Sequence, residues 1–331
     1  MRSPLLDIPG AVAADAPDDG VAGHYGDPFA EQRAFLAGEA VVDRSNREVV
    51  RISGPDRLSW LNSLSSQKLD DLEPGRATET LLLDPQGRVE HHLFLVDDGE
   101  AVWAHVEPGT SAGLIAYLEK MRFMLRVEVA DVTDAYAVVS VADAALGEGR
   151  LAPPPGTVAV GADLLIPREL LSEHLGLRPA GLWAYEALRI EAHRPRLGFE
   201  TDHKTIPHEV GWIGAAVHLT KGCYKGQETV ARVHNLGHPP RRLVFLHLDG
   251  SADRLPRRGA PVTEGGTEVG FVGGSARHHE LGPIALAVVK RTVPVDAPLE
   301  ADGVAAAQEV VVPPDAGRNV QIDPALRRRI R

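Results

Sequence analysis

The sequence is poor in several features that mark whole classes of protein. It holds one cysteine, Cys223, in 331 residues, so an intrachain disulfide framework is excluded. No uninterrupted apolar run approaches the roughly 20 residues of a membrane-spanning helix, and we therefore expect no membrane partner. Lys and Arg number 35 against 46 Asp and Glu, and the net charge of −11 disfavours broad attraction to nucleic acid. Direct nucleic-acid binding is therefore not expected.

The remaining composition is that of an ordinary soluble chain. Hydrophobic residues make up 44% and charged residues 24% of the sequence, and a chain of this length predicts two or three domains. The first residues, Met1–Asp7, lack the long apolar core of a secretory signal peptide. We expect a cytoplasmic protein.

The single cysteine lies in the run T-K-G-C-Y-K-G-Q-E-T-V-A-R at 220–232. The glycines at 222 and 226 allow backbone conformations that are closed to other residues. Lys221 and Lys225 would favour the thiolate, which is the reactive form of cysteine. The alternative is a small buried cysteine that only packs. The run predicts a loop with a functional thiol at Cys223.

This run is similar to the K-G-C-Y-x-G-Q-E signature of the YgfZ family of folate-binding proteins, which are relatives of the glycine-cleavage T-protein, an aminomethyltransferase. The matching residues are Lys221, Gly222, Cys223, Tyr224, Gly226, Gln227 and Glu228. The resemblance implies tetrahydrofolate or a one-carbon derivative as cofactor, with Lys221 and Tyr224 among the residues that bind it. It also implies an accessory role in the assembly or repair of iron–sulfur proteins, with the assembly machinery or its client proteins as partners.

A second run, A-L-R-I-E-A at 187–192, resembles the L-R-[IL]-E-[AS]-G element of the T-protein superfamily. The glutamate of that element hydrogen-bonds the pteridine ring, so the resemblance implies that Glu191 and Arg189 bind folate. A carboxylate suits this task because it accepts two parallel N–H bonds from an amino-pyrimidine edge. The helix dipole disfavours an anion near a helix C-terminus, which indicates that Glu191 has a task there. His193 stands where the family has glycine.

Two vicinal histidines, His91 and His92, follow a turn between the predicted strands 80–83 and 88–96. The T-protein carries G-G-I-x-D-D-L here, and this chain has G-R-V-E-H-H-L, which weakens the aminomethyltransferase interpretation. Neighbouring strand residues point to opposite faces, so the two histidines cannot share one metal ion. We expect one of them to line the folate cavity. Other histidines lack the spacing of a metal site, and no metal is predicted; these are His203, His208, His218, His234 and His238.

Hydrophobic periodicity and turn residues predict the remaining elements. Strands are expected at 48–52, 101–106, 125–129 and 136–141, and helices from Gly54 and over 111–124, 167–175, 181–192 and 227–234. From Arg241 to Val312, short apolar runs alternate with Gly, Pro and Asp turns, which is typical of a small antiparallel barrel or sandwich. This part resembles the C-terminal barrel of the T-protein superfamily.

These features predict an α+β folate-binding body followed by an antiparallel β-barrel. The expected parts are a flexible arm at 1–27, the folate-binding region as one or two subdomains at 28–238, the barrel at 239–314 and a basic tail at 315–331. The leading function is a tetrahydrofolate-binding accessory factor for iron–sulfur proteins. The alternatives are a folate-dependent aminomethyl or one-carbon transferase, and a module without folate that docks a partner through the 220–232 loop.

Overall fold

A computed structural model of the protein describes residues 2–319 except 144, 146–150, 152 and 173–176. The α-helices are Pro28–Leu36 (α1), Arg57–Leu64 (α2), Ser111–Arg122 (α3), Leu182–Glu191 (α4) and Gln227–Leu236 (α5). The strands are Val12–Ala13 (β1), Ala22–His24 (β2), Ala40–Asp43 (β3), Glu48–Ser53 (β4), Ala77–Leu83 (β5), Val89–Asp97 (β6), Ala101–Val106 (β7), Glu128–Asp131 (β8), Tyr136–Val141 (β9), Val158–Val160 (β10), Asp163–Pro167 (β11), Arg178–Ala180 (β12), Arg241–Leu248 (β13), Pro261–Glu264 (β14), Thr267–His278 (β15), Gly282–Lys290 (β16), Leu299–Ala301 (β17) and Val304–Val310 (β18). Within this described part, every helix is too short or too polar to cross a bilayer.

The strands form two five-stranded sheets and a closed barrel, besides the small β1–β2 pair. The first sheet has the order β10-β11-β9-β3-β12, and its only parallel pairing joins β3 and β12. The second has the order β5-β6-β7-β4-β8 and is antiparallel throughout. The barrel runs β13-β16-β15-β14-β17-β18 and is also antiparallel. The predicted α+β fold with a C-terminal antiparallel barrel is confirmed.

Helix α4 connects these layers. Its side chains Ala187 and Ile190 belong to the core that also contains barrel residues, while Leu182 and Leu188 belong to the core of the first sheet. Apolar residues on both sides of one helix bury it between two layers rather than on a surface. The end of α4 is therefore placed where the first sheet and the barrel meet.

The segment 1–27, predicted as a flexible arm, is packed against the body over its described residues. Leu5 and Val21 are buried, and Asp18 pairs with Arg196, with 2.7 Å between Oδ1 and Nη2. The segment has no hydrophobic periodicity of its own. It is held in place by contacts with residues that are distant in sequence, which a local pattern does not show. The other proposed domain boundaries stay predictions, and most of the basic tail, from residue 320 onward, lies outside the described residues.

Most of the predicted elements are confirmed, and two differences have local causes. Pro28–Leu36 was missed because its buried residues, Gln32, Ala34 and Phe35, form no clear apolar stripe. Asp27 caps this helix by accepting from the N–H groups of Phe29 and Ala30, at 3.0 Å each. The helix predicted over 167–175 is wrong at its start, because Pro167 ends a strand that pairs with β9 and a 3-10 turn follows at Arg168–Leu170. Residues 173–176 of that prediction lie outside the described part.

Candidate functional site

A cavity of about 580 Å³ lies between the two sheets and the end of α4. Its wall combines aromatic, acidic and basic side chains: Phe35, Phe94, Tyr185, Glu79, Asp143, Asp163, Glu191, Arg189 and Arg194. A concave site with apolar walls and a few convergent polar groups is the usual form of a small-molecule site. The cavity is therefore the candidate functional site.

Glu191 enters the cavity from the last turn of α4. The preceding residues of the helix bury their apolar side chains, and this fixes the direction in which Glu191 projects. Its side chain is 43% exposed, and its Oε2 lies 3.2 Å from Nε2 of His278 on barrel strand β15. Nδ1 of His278 accepts from the N–H groups of Glu280 and Leu281. The imidazole therefore carries its proton on Nε2, the ring nitrogen that lies nearest to the Glu191 carboxylate.

Arg189 also belongs to the cavity wall, but its guanidinium is buried among carboxylates. It lies 2.7 Å from Glu186 and 3.2 Å from Glu200. Burial lowers the pKa of a guanidinium, yet these two charges raise the pKa of Arg189 above its ordinary value. The charge of Arg189 is therefore already paired with carboxylates of the protein. The basic side chain of the wall that is exposed is Arg194.

The two vicinal histidines lie on opposite faces of β6, as the strand period requires. His92 lies on the same face of β6 as Phe94, and its Nε2 lies 2.6 Å from Oε2 of the cavity-lining Glu79. Its ring centroid lies 4.4 and 4.6 Å from those of Phe94 and Trp212. Neither histidine is itself among the residues that line the cavity, where one of them was expected. His91 faces α3, and burial lowers its pKa. In the described part of the chain, no three His, Cys, Asp or Glu side chains converge as a metal site would require.

The loop at 220–228, which holds the predicted folate-binding residues Lys221 and Tyr224, forms no part of the cavity wall. Residues 221–228 are all described, and none of them lines the cavity. Cys223 is exposed and Tyr224 is buried, and burial raises the pKa of the Tyr224 phenol to about 12.

The lysines of this loop have partners other than the thiol. The buried ammonium of Lys221 donates to the carbonyls of Asn62, Ser65 and Gln67, and burial lowers its pKa to about 8 although the charge of Asp70 opposes this. Lys225 lies 3.0 Å from Glu90 and above the ring of Tyr117. Both positive charges are directed at groups other than the sulfur.

Behind the cavity, a buried network of charges joins the layers of the molecule. Arg196 pairs with Asp18, Glu107 and Glu186 at 2.7, 2.8 and 3.2 Å. Burial raises the pKa of Glu107, but the charges of Arg196 and Arg47 outweigh it and leave the pKa well below the ordinary value. Glu107 is therefore ionised in the interior of the molecule.

The network continues through Arg47, which pairs with Glu107 and donates from Nε to Nδ1 of His105 at 2.8 Å. His105 lies 3.0 Å from Asp163 in the cavity wall, and burial together with Arg47 lowers the pKa of His105 to about 4. The cavity is thus backed by fixed, mutually compensated charges.

Sequence reasoning located Glu191 and Arg189 in the cavity wall, and His92 next to it as the partner of Glu79, but it missed other polar residues of the site. Glu79, Asp163 and Arg194 occur in no motif, and nothing in their spacing marks them. The alternation of Glu79 with Leu81 and Leu83 on β5 places all three on one sheet face, which is the one available indication for Glu79.

Comparisons with known proteins agree with this architecture. The model of the GCVT N-terminal domain matches residues 28–143. A chloroplastic protein of Arabidopsis thaliana is 28% identical over 85% of this chain and 73% of its own length. The aminomethyltransferase of Streptomyces coelicolor is 30% identical over 80% of this chain and 82% of its own length. The aminomethyltransferase T structure of the glycine cleavage system from Bartonella henselae superimposes with a TM-score of 0.77, covering 96% of this chain and 98% of that chain at 18% identity. This last likeness concerns the fold alone.

Proposed function

Since the chain belongs to the aminomethyltransferase family, we propose that its cavity binds tetrahydrofolate or a one-carbon derivative of it. The observation that carries the proposal is the half-exposed Glu191 carboxylate, which ends the L-R-I-E element and opens into a cavity of about 580 Å³. An amino-pyrimidine edge offers parallel N–H donors, and an ionised carboxylate is their natural acceptor.

The other residues of the wall fit the same ligand. Phe94 and Tyr185 provide apolar surface for an aromatic or pterin ring, and Arg194 provides a positive charge for the carboxylates of a folate tail. When bound, the folate would supply the carrier for a one-carbon group. The chain's own residues bind the ligand, orient it and exclude water from it.

The first prediction concerns Glu191. Glu191→Ala should weaken tetrahydrofolate binding at least about tenfold, because a charge-assisted hydrogen bond contributes about 1.5 to 3 kcal/mol. The fold should remain intact, since the side chain is partly exposed. Isothermal titration calorimetry measures the affinity, and Glu228→Ala on the solvent side of α5 is the matched control. Equal affinities for the two variants would remove Glu191 from the site.

For the biological role, we propose a tetrahydrofolate-dependent accessory factor in the assembly or repair of iron–sulfur proteins. Two observations support this role over catalysis: histidines replace the paired aspartates at 91 and 92, and the thiol of Cys223 is exposed. An iron–sulfur cluster takes four protein ligands, and Cys223 would supply one of them. The other three ligands would come from a partner protein or from a small thiol. Cys223 would therefore take part in a transient exchange with a client or carrier protein.

A folate-dependent aminomethyl or one-carbon transferase is the second candidate. It is favoured by the relatives named aminomethyltransferase and by the His92–Glu79 pair on the cavity face. An imidazole hydrogen-bonded to a carboxylate can act as a general acid or base. This pair would then replace the missing aspartate.

Two variants, Cys223→Ser and His92→Ala, separate these roles. Cys223→Ser should keep the midpoint of thermal unfolding and the affinity for tetrahydrofolate, because the side chain is exposed. It should fail to restore iron–sulfur enzyme activity in a strain that lacks the gene. Full rescue by the serine variant would contradict the accessory role of the thiol. Folate-dependent turnover of an aminomethyl-loaded carrier, lost in His92→Ala, would instead support the transferase.

A further inference from the structure

The cavity wall presents four carboxylates, of Glu79, Asp143, Asp163 and Glu191. Glu191 comes from the end of α4, and Glu79 comes from β5 of the second sheet, with its side chain 26% exposed. Asp163 is paired with Arg44 and His105, and Asp143 is exposed to solvent. A pyrimidine edge needs one carboxylate, so Glu79 requires its own explanation beside Glu191.

Glu79 is held in one orientation as an anion. Burial raises its pKa, but the hydrogen bond from His92 outweighs this, and the pKa lies below the ordinary value. Because an ionised carboxylate only accepts, the contact at 2.6 Å requires a proton on Nε2 of His92. Within the described residues, the other oxygen of Glu79, Oε1, has no donor.

His92 is itself fixed, since its side chain is 3% exposed and lies between the rings of Phe94 and Trp212. A fixed donor on one oxygen leaves the second oxygen directed and, among the described residues, without a protein donor. Such an acceptor favours a ligand that offers an N–H at this point. It opposes a ligand that offers a lone pair, because two acceptors that face each other both remain unpaired.

The oxidised and reduced forms of a pterin differ in which ring nitrogens carry N–H donors. An oxidised pterin carries ring N–H donors at the pyrimidine edge only, and its N5 and N8 are acceptors. The tetrahydro form carries N–H groups at N5 and N8, and N8–H remains when a one-carbon group occupies N5. Only the reduced ring can therefore satisfy acceptors at both ends.

We propose that Glu79, positioned by His92, makes the cavity selective for the reduced pterin over the oxidised one. The inference rests on the proposed folate-binding function, and it assigns a specificity role to a residue that lies outside both sequence motifs. Glu191 would bind the pyrimidine edge, which is the same in both oxidation states. Glu79 would accept from a ring N–H at N5 or N8, which only the reduced form carries.

The test measures two affinities for each variant by anaerobic calorimetry, with tetrahydrofolate and folic acid as the probes. The wild type should bind tetrahydrofolate at least about tenfold more tightly than folic acid. Glu79→Gln keeps the size of the side chain but loses its charge, and it should weaken tetrahydrofolate about tenfold while changing folic acid less than about twofold. Glu191→Gln should weaken both ligands alike, and Glu100→Gln, in an exposed turn, is the control.

The ratio of the two affinities protects the test against a general folding defect, which would weaken both ligands together. His92→Gln retains a donor for Glu79 and should keep more of the selectivity than His92→Ala. Equal loss of both ligands in Glu79→Gln, or a wild type that binds both equally, would overturn the inference and leave folate binding standing. A wild type that binds neither ligand would overturn the proposed function itself.

Discussion

The ammonium group of Lys221 lies at the C-terminal end of α2, where backbone carbonyls lack helical partners. It donates to three of them, with distances of 2.6 Å to Ser65 and 2.9 Å to Gln67 and a short contact to Asn62. A cation is favourable at this end of the helix dipole as well. The lysine of the K-G-C-Y run therefore anchors the loop to α2, which leaves the neighbouring Cys223 exposed.

We predict that Lys221→Met lowers the free energy of unfolding by about 2 to 3 kcal/mol, because buried carbonyls lose their donor. Lys225→Met is the matched control in the same loop, since its ion pair with Glu90 is partly exposed and such pairs contribute at most about 1 kcal/mol. Urea denaturation measures both values. Equal effects of the two substitutions would contradict the anchoring role.

The hairpin of β5 and β6 packs its turn against the start of α5, and two glycines make this approach possible. Gly226 has φ of +85° in the left-handed region, and a Cβ there would lie 2.6 Å from the carbonyl oxygen of Asp84. Gly87 in the turn has φ of +76°, and its Cβ would lie 3.0 Å from Cβ of Thr229. The two backbones therefore meet without side chains between them.

We expect Gly226→Ala to cost about 2 to 4 kcal/mol of stability, from the strained φ and from the clash with the turn. Gly222→Ala offers an internal comparison, because a Cβ at Gly222 meets nothing within 4 Å and its φ lies outside the left-handed region. It should change stability by less than about 0.5 kcal/mol. Equal urea midpoints for the two variants would contradict this prediction, because they would show that the β5–β6 turn can move to accommodate the added methyl group.

Three layers and the N-terminal segment converge on Arg196. Its guanidinium contacts Asp18 from the N-terminal segment, Glu107 after β7 and Glu186 on α4. Glu200, which follows in the same loop, accepts from the N–H of Gly274 in the barrel at 2.6 Å. These contacts are buried, so each charge depends on its partners for compensation.

Replacing Arg196 by Met should therefore destabilise the protein by about 3 to 5 kcal/mol, because carboxylates remain buried without their partner. In the same variant, the rates of amide hydrogen exchange in residues 2–24 should increase. Arg257→Met, which removes an exposed surface pair with Asp302, should leave the urea midpoint almost unchanged. A small loss for Arg196→Met, with unchanged exchange at the N-terminus, would show that apolar packing alone joins the layers.

The sequence by itself determined the features that depend on neighbours along the chain. Alternating apolar residues and turn glycines give the hairpin, the helix that ends at Glu191 and the strands of the barrel, because the periods of strands and helices are local properties. The opposite orientation of His91 and His92 follows from the same period.

Tertiary structure alone decided which side chains meet. Lys221 and Asn62 are 159 positions apart, and Arg196 and Asp18 are 178 apart, so no spacing rule relates them. Glu79 and His92 are only 13 positions apart, yet their pairing requires the register of β5 against β6. The cavity that Glu79 lines also requires the first sheet as a second wall. Such contacts depend on how separate layers pack, and packing is set by the whole set of buried surfaces rather than by any one segment.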